Sequence, residues 1–83
     1  MTKSVFTEKY RRFMSMLVEA RKNAEITQTD LSFKLSKPQS FVSKYENGER
    51  RLDLIEFLEI AEALEIDPVD FVCRLIASPK KGK

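Results

Sequence analysis

Three observations predict an all-α fold of five helices. Apolar residues recur at three- and four-residue intervals through most of the chain. Capping residues, prolines and an Asn-Gly pair punctuate those stretches at short spacing. No segment alternates apolar and polar residues for long enough to compete as a strand.

The first helix spans about Thr7 to Asn23, with Tyr10, Phe13, Met14, Leu17 and Ala20 along one buried face. Thr27-Gln28-Thr29-Asp30 opens the second, with a hydroxyl at the N-cap and a carboxylate three residues on. Leu31 and Leu35 form its buried stripe, and Ser36-Lys37 form the break. The third runs from Pro38 to Glu46. Proline suits a first turn because its missing N–H would be unpaired there anyway, and Asn47-Gly48 is a stop signal. The fourth begins near Asp53. Leu54, Phe57, Leu58, Ala61 and Leu64 are assigned to its buried face, and Glu56, Glu59, Glu62 and Glu65 to its outer side. The fifth follows Asp67-Pro68 and carries Phe71, Val72, Leu75 and Ile76.

Eighty-three residues make one domain, expected over 7–77, with flexible residues 1–6 before it and a disordered basic tail over 78–83. The chain lacks histidine and holds one cysteine, Cys73. The commonest general base and metal ligand is therefore missing, and a single thiol makes neither an internal disulfide nor a metal site. No enzymatic activity, cofactor or metal is expected. Residues 1–9 have no apolar signal region, and no run is long and apolar enough to span a membrane. A cytoplasmic location is the expectation. Cys73 is read as a small buried apolar residue.

The net charge of +2 conceals a segregation: residues 1–51 carry eleven Lys/Arg against six Asp/Glu, residues 52–83 four against seven. A basic half is the electrostatic footprint of a nucleic-acid binder, or chance clustering on a solvated surface. The third helix separates these readings. With Pro38 set at zero on a helical wheel, Tyr45 and Val42 fall at ~340° and ~40°, facing the core, with Phe41 at their edge. Gln39, Ser43, Ser40 and Lys44 fill the arc from ~100° to ~240°. An ordinary solvent face carries more Glu and Lys. Amide, hydroxyl and ammonium groups are those that reach base edges and phosphates. Two short helices joined by a tight break against a longer first helix describe a helix-turn-helix, here over residues 27–48, whose second helix enters the major groove.

The string Ile26-Thr27-Gln28, Leu31-Ser32, Leu35, then Gln39-Ser40-Phe41-Val42-Ser43-Lys44-Tyr45-Glu46-Asn47-Gly48-Glu49-Arg50 resembles the Cro/cI-type (XRE-like) helix-turn-helix family, over about Phe13 to Ile66. Leu54, Phe57, Ile60-Ala61 and Leu64 resemble its fourth helix. The resemblance implies a lambda-repressor-like five-helix domain and transcriptional regulation by a homodimer on a near-palindromic operator in double-stranded DNA. It implies base reading by Gln39, Ser40 and Lys44, with Ser43 beside them. Gln28, Asn47, Arg50 and Arg51 are implied on phosphate, and Lys37 in the break is grouped with them. An internal ion pair between Arg21 and Glu46 is also implied. Each role has a rival: Gln28 as a cap of its own helix, Lys44 solvated or on phosphate, Phe41 in packing or on a thymine methyl, Arg50 and Arg51 idle.

Three positions depart from the family pattern. Ser36 stands in the break and Glu65 at the end of the fourth helix, where the family usually has glycine, and Pro38 stands where it often has a Ser or Thr cap. The stripe Phe71, Val72, Leu75 and Ile76 is the expected dimer surface, the rival being a cap on the monomer core. A function of another class stays open: antitoxins share this fold and bind a toxin, and the acidic fourth helix could serve such a partner.

Overall fold

The computed structural model describes residues 7–77. The expected segments 1–6 and 78–83 lie outside the described residues. Five helices follow in order: α1 Glu8–Asn23, α2 Gln28–Leu35, α3 Gln39–Glu46, α4 Leu54–Leu64 and α5 Pro68–Ile76. Among the described residues there is no strand, and no helix is long and apolar enough to cross a membrane.

Local chemistry starts each helix. The Tyr10 N–H donates to Thr7 Oγ1 at 3.1 Å. At α2 the Asp30 N–H donates to Thr27 Oγ1 (3.0 Å) and the Thr27 N–H to Asp30 Oδ2 (3.2 Å), a complete capping box. Asp53 and Glu56 repeat it at α4, and Asp67 caps α5 ahead of Pro68. The exception is α3. It begins one residue later than expected, at Gln39, because Pro38 is an extended N-cap (φ −67°, ψ 154°) with no side-chain acceptor to offer.

The first four helices all stop the same way. One residue turns left-handed, and the next returns its N–H to a carbonyl five residues back: Ile26 to Arg21, Lys37 to Ser32, Glu49 to Lys44, Ile66 to Ala61. The left-handed residues are Glu25, Ser36, Gly48 and Glu65, so three of these turns are made without glycine. Helices α4 and α5 are thus joined by the usual turn despite Glu65. Cβ crowding in this region costs roughly 1–2 kcal/mol per residue, part of which glycine returns as chain entropy. Substituting glycine at Ser36, and separately at Glu65, is expected to stabilise the domain by about 0.5–1 kcal/mol each. Urea unfolding checks this; no gain at either site would mean the crowding is already relieved.

The helices close on one core. Leu17, Leu31, Val42, Tyr45, Ile60 and Phe71 are fully enclosed. The Phe13 ring meets Phe57 and Phe71 edge-on at 5.5 and 6.0 Å. Helix α2 packs on α3 and α4, α1 on α3 and α5, and α4 on α5. Four expectations are corrected. The buried stripe of α4 is Phe57, Ile60, Ala61 and Leu64, while Leu54 and Leu58 are exposed, Leu54 at 67%. Leu54 lies in the first turn and Leu58 is turned about 100° from Phe57. Glu56 is tucked in rather than outward. Phe71, assigned to the dimer surface, is 1% exposed and belongs to the core. Cys73 is exposed instead of buried.

Candidate nucleic-acid interface

On α3 the apolar and polar arcs separate as the wheel requires. Phe41, Val42 and Tyr45 are buried, so Phe41 is a core residue rather than one at its edge. Gln39, Ser40 and Lys44 are exposed, and Ser43 is half-buried, its hydroxyl donating to the Ser40 carbonyl at 3.4 Å. No carboxylate lies on this arc until Glu46, which points elsewhere.

Glu46 joins three helices. Arg21 of α1 donates from Nε to Glu46 Oε2 (2.7 Å) and from Nη2 to Oε1 (3.1 Å), the planar fork that a guanidinium offers a carboxylate. Arg21 Nη1 also donates to the Ile26 carbonyl at 2.9 Å, holding the chain just before α2. The Gln28 amide donates to Glu46 Oε1 at 2.9 Å from the first residue of α2. The hydrogen bonds to Glu46 hold the Arg21 guanidinium protonated, above its ordinary range, against the opposing cost of burial. The orientation of α3 against α1 and α2 is therefore set by directional bonds as well as by packing. Next to this cluster, burial pushes the Tyr45 phenol well above its usual range, and the Tyr45 hydroxyl has no hydrogen-bond partner among the described residues.

The segment after α3 lies against aromatic rings. Asn47 is an exposed C-cap. The Arg50 guanidinium sits 4.9 Å from the Phe41 ring centre, with Lys37 Nζ 5.3 Å from the same ring. Arg50 Nη1 and Nη2 donate to Glu56 Oε1 and Oε2 at 3.0 and 2.8 Å, and Nη1 also reaches the Arg51 carbonyl. These bonds from Arg50, and the Asp53 N–H, hold the Glu56 carboxyl below the usual carboxylate range. The Arg51 guanidinium covers Tyr10 at 4.2 Å, and the Tyr10 hydroxyl accepts from the Leu52 N–H.

The structure thus brings Gln39, Ser40, Ser43 and Lys44 onto one face of α3 and sets Gln28, Asn47 and Lys37 around it. It gives Gln28, Arg50 and Arg51 internal partners that were not expected. Glu56 was missed as a member of this neighbourhood. The Asp53-x-x-Glu56 spacing of a capping box was the available signal for its anchoring, but nothing in the sequence links it to Arg50. Of the stripe on α5, Val72 and Ile76 are exposed and Leu75 is half-buried.

Comparisons with known proteins fall on these same elements. A helix-turn-helix family model matches residues 17–71. Among solved structures, an XRE-family like protein from Pseudomonas syringae pv. tomato str. DC3000 superposes with a TM-score of 0.82 at 45% identity, over 87% of this chain and 91% of that one. A tyrosine-to-phenylalanine variant of the restriction-modification controller protein C.Esp1396I superposes at 0.78 with 25% identity, over 87% and 91%. The wild-type form of that controller superposes at 0.77 with 24% identity, over 84% and 92%, a likeness of fold. A search of curated proteins finds no match.

Proposed function

Since the chain belongs to the XRE-type helix-turn-helix family of DNA-binding transcription regulators, we propose that it binds a specific double-stranded operator as a cytoplasmic homodimer, with α3 in the major groove. The carrying observation is the exposed face of Gln39, Ser40 and Lys44, bare of carboxylates, on a helix whose orientation is braced by Glu46. Gln39 suits adenine through its amide, Lys44 suits guanine, and the two serines suit several bases. The Gln28 amide spends one hydrogen on Glu46 and keeps a second for phosphate. Lys37, Asn47, Arg50 and Arg51 complete the backbone contacts, which position the domain without reading sequence.

A second copy supplies the remaining specificity. Leu54 and Ile55 on α4 and Val69, Val72 and Ile76 on α5 are exposed on two helices that pack together. Exposed aliphatic side chains concentrated on one helix pair favour a partner surface there. In a dimer closed through α4 and α5, two α3 helices meet successive major grooves about 34 Å apart.

Selection from a random duplex library tests the reading: an inverted repeat with half-sites about one helical turn apart is expected. Gln39→Ala is expected to cost about 1–3 kcal/mol on the selected site and to relax preference at one or two base pairs. A variant that binds every sequence as the parent does would remove Gln39 from the reading face.

A further inference from the structure

Glu56 lies in the first turn of the acidic helix α4. Its carboxylate is pinned from two sides. The Asp53 N–H donates to Oε1 at 3.0 Å, and Arg50 donates to both oxygens at 3.0 and 2.8 Å. Its side chain is 16% exposed, whereas that of Arg50 is 41% exposed and within reach of an incoming anion. The two partners therefore differ in freedom. Glu56 is anchored to backbone at the start of α4; Arg50, although it also meets the Arg51 carbonyl and the Phe41 ring, is the more exposed of the two.

We propose that Glu56 is a specificity-determining residue: it holds Arg50 in an internal ion pair and withholds that cation from the phosphates of non-operator DNA. The proposal rests on the reading in which the segment after α3 meets the DNA backbone. A phosphate approaching Arg50 must replace a two-pronged carboxylate with a partner of similar geometry, beside a negative charge that stays in place. Loose, sequence-independent encounters do not hold a phosphate close enough to make that exchange. A fully seated α3 does, because seating fixes the register of the backbone next to Arg50. Lys37, near the same Phe41 ring, is left to contribute electrostatic attraction in either mode. A regulator facing a vast excess of wrong sites gains more discrimination from suppressing non-specific affinity than from raising every affinity together.

The test compares wild type, Glu56→Gln, Arg50→Ala and the double substitution on a scrambled duplex and on the selected operator, across a salt series. Glutamine keeps the capping-box acceptor and removes the charge. Glu56→Gln is expected to tighten binding to the scrambled duplex about five- to tenfold at ~0.1 M salt and to steepen the log–log salt slope by about 0.9, one additional phosphate contact. The gain on the operator is smaller, so the ratio between the two falls. In the Arg50→Ala background Glu56→Gln has little effect. Unchanged scrambled-duplex binding by Glu56→Gln, or a gain that persists without Arg50, overturns the proposal while leaving DNA binding standing. A wild-type protein that binds no duplex overturns both. A measurement on unsubstituted protein covers the case in which Glu56→Gln fails to fold. The Arg50 Nε–H resonance should move when operator is added and stay in place with scrambled duplex; movement with both, or with neither, overturns the proposal.

Discussion

Replacing Arg21 by alanine is expected to cost about 3–5 kcal/mol of folding stability. The side chains of Arg21 and Glu46 are 11% and 5% exposed, so neither charge is well hydrated. Without the guanidinium, the Glu46 carboxylate keeps, among the described residues, the Gln28 amide as its side-chain donor, and the Ile26 carbonyl loses its side-chain donor. A domain of this length holds roughly 4–12 kcal/mol in total, so the variant sits near the edge of unfolding at room temperature. Urea unfolding followed by far-UV circular dichroism measures the loss, and a value below about 1 kcal/mol would mean that water replaces the arginine. Replacing both partners, Arg21→Met with Glu46→Leu, should recover most of the stability, because a well-packed apolar pair removes both desolvation costs. The double variant should nonetheless bind operator more weakly than its stability implies, since Gln28 is then no longer held beside α3.

Phe71→Ala is the second large effect, also about 3–5 kcal/mol. The ring is enclosed and meets Phe57 at 5.2 Å and Phe13 at 6.0 Å, so its removal opens a cavity that three helices line. Five residues along the same helix, Ile76→Asp should leave the monomer as stable as before, because Ile76 is 67% exposed. Its expected effect is on the proposed association: sedimentation should show the parent as dimer and the variant as monomer, with operator affinity reduced. A stable Phe71→Ala protein would move that ring out of the core. A dimeric Ile76→Asp protein would move the partner surface off α5.

These two residues mark the line between what the sequence discloses and what it does not. Features decided within a few residues were legible. Thr27 with Asp30, Asp67 with Pro68, and Asn47-Gly48 act on the backbone beside them, so their outcome is independent of the distant fold. The polar arc of α3 was equally legible, because helical periodicity alone separates it from Val42 and Tyr45. Which apolar residue of a helix meets the core is a tertiary matter. Leu54, Leu58 and Val72 are as apolar as their buried neighbours, and composition does not say where α1 lies against α4 and α5. Cys73 was misjudged for the same reason. The Arg21–Glu46 pair spans twenty-five positions and was reached only through the family resemblance. Arg50 and Glu56 are six apart across a loop, a spacing with no periodicity to expose it.

The knot at Glu46 also governs what association with DNA costs in disorder. The carboxylate ties the last turn of α3 to the last turn of α1 and the first turn of α2, so the three helices are joined by side-chain hydrogen bonds before any DNA arrives. In the proposed docking, little internal freedom is lost beyond the rotamers of Gln39, Ser40, Ser43 and Lys44, each of order 0.5–1.5 kcal/mol or less. A helix of eight residues offers few contacts from which to recover a large ordering penalty. In the proposed binding mode, rigidity inherited from a buried ion pair is what would let so small a surface discriminate among sequences.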